Sequence, residues 1–447
     1  MNPLEHLWGR CKRQNIGSRY NLSWLYFLFL IPYLLPLGSS YAQDQSVRLI
    51  HADSLVGYTL NGESYRDLIG HVTMQHVNTT LNCDRAVQNT TQNIVDLYGN
   101  VQVEDDTLML RTKQARYYGK TDIVSSDSAI YLNDRRRTLT ADRGTYNTNT
   151  KVARFSGDVF VRDSVSQLAS EQLIYYRNEE KTLADIDVKI KNLDNNVTVH
   201  GYHFEDYSKK NYSLMRGEPL LTQIDTSSDG KVDTLMITSV KMEAYRDSSN
   251  ERFIGNDSVQ VIRGTLSAHC GYGIYFSKDS MVVLQKQPIV WYEDNQLTGD
   301  SITVYIRDKK IDKVDVDGDA FAVSQSDSIF ADRYNQIKGK KLTMYISDRK
   351  VDRIIVENNA TSLYYLYDKN KPNGVNKVSG DRVVMYFKDG KIERITVISG
   401  VEGNYYPEKL VKNKVDSYNL AGFAYYKNRP VKKEFPKEWT KISQLDK

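Results

Sequence analysis

Little in this chain is of the kind that announces a chemistry. Three cysteines occur in 447 residues. Cys11 lies near the start, and Cys83 and Cys270 fall in different units of the repeat described below, where a bridge would have to span several units. Two buried free thiols are therefore expected. An excess of one charge is missing as well, with 60 Lys and Arg against 56 Asp and Glu. Four of those bases and one acid fall in the first 42 residues, which leaves 56 against 55 and argues against nucleic acid as a partner. There is no phosphate-cradling glycine loop and no nucleophile elbow. After residue 42 no amphipathic helical pattern of any length appears, although the chain is too long for one ordinary globular core.

The one long apolar run, Leu22 to Leu37, follows Arg10, Lys12, Arg13 and Arg19 and precedes Ser40-Tyr41-Ala42. It falls short of the ~20 residues needed to span a bilayer and is interrupted by Pro32 and Pro36. Residues 1–42 are therefore expected to be a cleaved export signal rather than an anchor.

What is present is a repeat. An aliphatic residue followed two places later by a small one recurs at Leu81/Cys83, Leu110/Thr112, Leu139/Ala141, Leu168/Ser170, Leu266/Ala268 and Leu297/Gly299. Ile50/Ala52, Ile237/Ser239, Ile337/Gly339, Val378/Gly380 and Leu420/Gly422 fit too, and Val197/Val199 departs from the rule. Five of the intervals between successive starts are 29 residues, which marks a stacked architecture that grows in one dimension and needs no single centre.

Each cycle reads as a hairpin. Leu139 to Tyr146 and Ala153 to Val161 alternate apolar and polar residues about a run of turn formers, Asn147-Thr148-Asn149-Thr150. Later cycles place turns at Asp308-Lys309, Asp348-Arg349 and Asp389-Gly390 before Ile311-Asp312-Lys313-Val314, Val351-Asp352-Arg353-Ile354 and Ile392-Glu393-Arg394-Ile395. Tyrosines keep step, at Tyr117, Tyr146 and Tyr175 seven places after a start and at Tyr305, Tyr345 and Tyr386 eight places after one. Ordinary stacking between units accounts for them, ahead of direct ligand contact.

Folding a hairpin about its turn sets Gly99 opposite Cys83 and Gly157 opposite Ala141. Small residues meeting in every unit imply a crease along the sheet. The expected fold is all-β: a repeat-built antiparallel sheet folded into an open V-shaped trough or β-jellyroll, with about two strands per cycle of 29–41 residues. Its inner wall would hold Val72, Leu81, Val101, Val103 and Leu110, and further along Leu139, Phe155, Val159, Val161 and Leu168. The cycles form two blocks, 43–204 and 236–428, with a polar loop or joint at 205–235 and a basic, loosely ordered tail at 429–447.

No metal or catalytic site emerges. His200 and His203, three residues apart on a strand, point to opposite faces, and His269 beside Cys270 fails for the same reason. Asp315-Val316-Asp317-Gly318-Asp319 resembles the start of a calcium loop, but its glycine is in the fourth place and Ser326 stands where the bidentate acid belongs. Asp105-Asp106 and Glu179-Glu180 lie beside turns as solvated acids. No cofactor, metal or catalytic residue is expected.

Gly99-Asn100-Val101, Leu110 to Tyr117, Leu139-Thr140-Ala141-Asp142 to Tyr146, Gly157-Asp158-Val159 and Leu168 to Tyr175, behind an export signal, resemble the OstA N-terminal domain family. That is the family of the periplasmic lipopolysaccharide-bridging protein LptA and of the periplasmic part of LptD. The likeness is good over residues 48–200 and looser to about 426, and is closest to the long OstA-like proteins. It implies a non-enzymatic periplasmic protein in lipopolysaccharide transport to the outer membrane, with acyl chains held on the apolar wall. It also implies end strands that join other OstA-like or Lpt proteins. Burial at about 0.8 kcal/mol per methylene and unpaired edge strands make both physically sound. The rival readings are a polysaccharide-active enzyme on a parallel β-helix and a secreted structural scaffold with a dry, packed interior.

Overall fold

A computed structural model describes residues 48–432 apart from short internal stretches at 77–78, 105–107, 195, 227–231, 247–250, 277, 308–309, 327–329, 369–370 and 389–390. The expected signal peptide, the turns at Asp308-Lys309 and Asp389-Gly390, the Asp105-Asp106 pair and the tail from 433 lie outside the described residues.

Among the described residues thirty strands form one sheet whose pairings are all antiparallel, which removes the parallel β-helix. Each unit is a hairpin, and its second strand carries a two-residue kink at mid-length. Tyr98 pairs with Gln114 and Val101 with Thr112, so Gly99 and Asn100 together face Lys113 alone. Both residues are left-handed, at φ +71° and +44°. The same pair of positive φ values recurs at Gly70-His71, Gly157-Asp158, Ile186-Asp187, Asp257-Ser258, Gly318-Asp319 and Asn358-Asn359. Each is a β-bulge that bends its strand and sharpens the twist. Gly, Asn and Asp dominate these positions because they tolerate that region best, and Ile186 at φ +66° is the outlier. Stacked unit on unit, the bends crease the sheet into two arms.

The crease also shifts the inward set on the unbulged strand. Along Ser166–Tyr176, Leu168 and Ser170 face inward before the corner, and Leu173 and Tyr175 after it. The register differs by one residue from the expected one: Gly157 lies over Asp142, not Ala141, because the bulge adds a residue that simple folding about the turn leaves out. The Asp142 amide donates to the Gly157 carbonyl at 3.0 Å, and a side chain on Gly157 would meet the Asp142 Cβ at 2.8 Å. Gly99 likewise lies over Asp84, and Cys83 pairs with Val72.

The stretch 205–235, expected as a loop or joint, is strand for most of its length. Val197–Tyr207, Tyr212–Arg216, Leu220–Thr226 and Val232–Thr238 continue the sheet without a break. Ser208-Lys209-Lys210-Asn211 is an ordinary hairpin end, flanked by Tyr207, Tyr212 and Tyr245 with ring centroids 5.9 and 5.0 Å apart in succession.

The interior changes character further on. From Leu297 it is a filled core in which Leu297, Ile302, Val316, Leu342, Met344 and Val356 keep no accessible surface. The last strand is Glu402–Pro407, followed by the helix Glu408–Val411 and a 3-10 turn Val415–Tyr418. The chain then runs back across the outer face of earlier units as an extended strap, where further rungs to about 426 were expected. Gln336 accepts the Leu420 amide at 2.8 Å, and Gln296 accepts the Tyr426 amide and donates to the Ala424 carbonyl at 2.8 and 2.9 Å. Arg429, expected in a loose tail, donates to the carbonyls of Thr265 and Glu293. Leu420 and Phe423 pack with Phe321, Val323, Leu363 and Tyr365, so the strap gives this arm a second apolar layer.

Candidate functional site

Between the arms, from Leu108 to Leu284, the inner wall does not fill the space it encloses. A cavity of about 1010 Å³ remains, walled by aliphatic and aromatic side chains such as Leu132, Phe155, Phe204, Met215, Phe253 and Ile274. Gly144 and Ala153 keep the floor low: a side chain on Gly144 would meet Phe155 Cδ1 at 2.8 Å and Ile130 Cδ1 at 2.9 Å. The lining reaches the hairpin ends of both arms, at Asp134 to Arg137 on one and at Arg246 and Glu251 on the other, so the hollow extends to the mouth of the V.

Five of the ten residues expected on the inner wall line this hollow, namely Leu110, Leu139, Phe155, Val161 and Leu168. Val159 is buried in the crease beside it. Val72 and Val101, with Leu81 packed against them, belong to the close-packed interior of the first units, and Val103 is half-buried. Of the crease residues, Gly99 and Gly157 occupy the kinks, and Cys83 and Ala141 are buried on the neighbouring strands. Pattern alone missed the far wall from Val199 to Leu284, which comes from the units on either side of the supposed joint.

The two tyrosine ranks face opposite ways, as a one-place offset on a strand demands. Tyr146 and Tyr175 line the hollow. Tyr305, Tyr345 and Tyr386 lie on the other face, where Lys313, Arg353 and Arg394 sit 4.1, 4.5 and 4.2 Å from their ring centroids. These cross-strand cation–π pairs tie together the two strands of each hairpin.

The titratable groups act structurally. Cys83 and Cys270 are free and buried, and burial pushes both thiols up to about 11. Burial lowers His200 to about 4, so it is neutral. His203 faces the other side, 2.5 Å from Asp185 and 3.2 Å from Glu205. Asp315 is on a strand, not in a loop, and accepts from Thr343 at 2.9 Å. The carboxylate after each small residue has a recurring use at the crease: Asp84 accepts from Asn100 Nδ2 at 3.0 Å, and Asp53 contacts His71 Nδ1 at 2.9 Å. Among the described residues no cluster of His, Cys, Asp or Glu has the arrangement of a metal site.

Fold and site together define an all-β trough protein, a creased antiparallel sheet holding an apolar hollow. Residues 44–200 match the family model of OstA-like protein, and residues 138–310 match that of the LptA/(LptD N-terminal domain) LPS transport protein. The two matches overlap and together run over residues 44–310. No curated protein matches the chain. Among solved structures it is similar to LptH, the LptA-homologous periplasmic component of the lipopolysaccharide transport device of Pseudomonas aeruginosa. That likeness has 13% identity and a TM-score of 0.25, and covers 32% of this chain and 95% of the other.

Proposed function

We propose that this protein is a periplasmic, non-catalytic carrier of lipopolysaccharide, or of its lipid A acyl chains, on the way to the outer membrane. The observation that carries the reading is the apolar hollow of about 1010 Å³ that reaches the mouth of the V. A hollow of that size and lining suits acyl chains, which gain about 0.8 kcal/mol per buried methylene and need no reactive group. The family match over 138–310 covers most of the lining.

Neighbours in such a path would be other OstA-like or Lpt proteins, docking by strand addition. The first strands, Arg48–His51 and Ser54–Leu60, are exposed throughout and carry Leu49, Ile50, Leu55, Val56 and Leu60 in the open. The packed units on either side of the hollow favour a chaperone that holds its cargo over a bridge that threads it end to end. The test is photo-crosslinking in cells from Leu139 and Phe155, with the outward Arg111 as control. Lipid adducts at the first two and not at Arg111 are expected, and equal labelling at all three would remove the proposal.

A further inference from the structure

The mouth of the hollow is not uniform in charge. Asp134, Arg135, Arg136 and Arg137 form the hairpin end between Ile130–Asn133 and Thr138–Ala141 and contribute to the lining of the cavity. The three arginines are exposed. The acids within reach along this lip serve the backbone. The Asp134 carboxylate accepts the Arg136 and Arg137 amides at 3.0 and 2.6 Å. Asp163, at the next hairpin end, accepts the Val165 and Ser166 amides at 2.9 and 2.7 Å and the Ser166 hydroxyl at 3.0 Å. Among the described residues none of the three guanidinium groups has an ion pair with a carboxylate. Against the single charge of Asp134, the turn keeps a surplus of two positive charges beside an apolar space.

The opposite lip adds charge of both signs. Arg177, Arg246 and Glu251 line the hollow there, with Arg246 held by Asp206 at 2.6 Å. Tyr175 lines the hollow within the field of both lips: burial raises its phenol, Arg137 from one side and Arg177 from the other act to lower it, and Asp134 and Glu180 act to raise it. A phosphate beside Arg137 would thus sit above the apolar floor within the field of both lips. Arginine suits such an anion, because its planar fork gives paired, charge-assisted bonds.

We propose that the Arg135-Arg136-Arg137 turn is an anion-binding lip that receives the phosphate-type headgroup of an amphiphile whose chains lie in the hollow. The inference rests on the carrier reading and adds a headgroup class to it. Burial of the chains would anchor the molecule, and the lip would select for its charge and fix its orientation. The turn is exposed and its backbone bonds do not involve the guanidinium groups, so R135Q/R136Q/R137Q keeps the fold.

The test is calorimetric titration of the whole protein and of this variant with dodecyl phosphate, dodecyl maltoside and inorganic phosphate, the amphiphiles below their micelle concentrations. The wild type is expected to bind dodecyl phosphate about tenfold or more tighter than the maltoside, with the preference shrinking as salt is added. The variant is expected to lose that preference and keep its affinity for the maltoside. Maltoside binding with no preference for phosphate, or a preference that survives in the variant, overturns the lip and leaves the carrier standing. If neither amphiphile binds, the carrier reading fails and takes the lip with it. Inorganic phosphate binding as tightly as dodecyl phosphate, and lost in the variant, would mark a free-phosphate site and overturn the amphiphile assignment.

Discussion

Gly99→Ala tests the crease at one unit. Position 99 has φ +71°, where an L side chain costs about 1 kcal/mol. The added methyl would also lie 2.8 Å from Asp84 Cγ and 2.9 Å from its Cβ, and closer still to Oδ2. Asp84 must therefore swing away and give up its bonds to Asn100 Nδ2 at 3.0 and 3.3 Å. Two exposed, charge-assisted bonds are worth about 1–2 kcal/mol together, so the substitution should cost about 2–3 kcal/mol in all. In a stack whose units touch only their neighbours, that loss is local. Native-state hydrogen exchange should show amides of Ile94–Glu104 and its partner Thr79–Asn89 exchanging about 30- to 150-fold faster, with strands beyond Val152 unchanged. In an Asp84→Ala background the bonds to Asn100 are already gone, so there Gly99→Ala should cost only the backbone strain of about 1 kcal/mol. Unchanged exchange in Gly99→Ala, or an equal cost of Gly99→Ala with and without Asp84, would refute the account of the crease as a glycine seated over a carboxylate.

Two further outcomes follow from particular contacts. Burial on its own would lower His203, but its bonds to Asp185 and Glu205 outweigh that and raise it above the ordinary value of 6.5. Its contribution is therefore complete below pH 6.5 and lost as pH rises through the raised value. Denaturant titrations at pH 6 and pH 8 should show a loss of up to about 1 kcal/mol that His203→Gln abolishes, and an unchanged difference in the variant would exclude this pair as its source. Gln296→Ala removes two of the three bonds that hold the strap at Ala424 and Tyr426, leaving that from Trp291 Nε1 to the Tyr426 carbonyl. Release at about 1–3 kcal/mol should speed tryptic cleavage after Lys427 roughly tenfold, read by mass spectrometry, and cleavage at the wild-type rate would show that the strap is held elsewhere.

The period, the hairpins and the antiparallel sheet are legible in the sequence because each is a local matter: alternation sets the strand, and a turn such as Asp348-Arg349, with φ +48° and +65°, sets the reversal. Glycines at the crease are legible too. Their partners are not, because one extra residue in the bulge moves Gly157 from Ala141 to Asp142, and no alternation pattern counts that residue. Ser208 to Asn211 reads as a joint only because every hairpin end is polar, and polarity does not separate a turn at the lip from a break in the stack. The boundary that matters for the site falls near Leu284, where hollow gives way to filled core. Val, Ile and Leu alternate on both sides of it, so only the packing of side chains across the V reveals it. The strap is invisible to periodicity, since Gln296 and Gln336 hold it by its backbone and the strap's own residues need no pattern.

The filled core beyond Leu297 has a mechanical consequence. On the carrier reading, a passenger lying lengthwise would find a dead end at that point, because the protein's own side chains occupy the lane it would need. Loading and unloading would then use the long slit, since the close-packed first units close the near end as well, and any relay toward the far terminus would require the passenger to be handed out and taken up again rather than slid through.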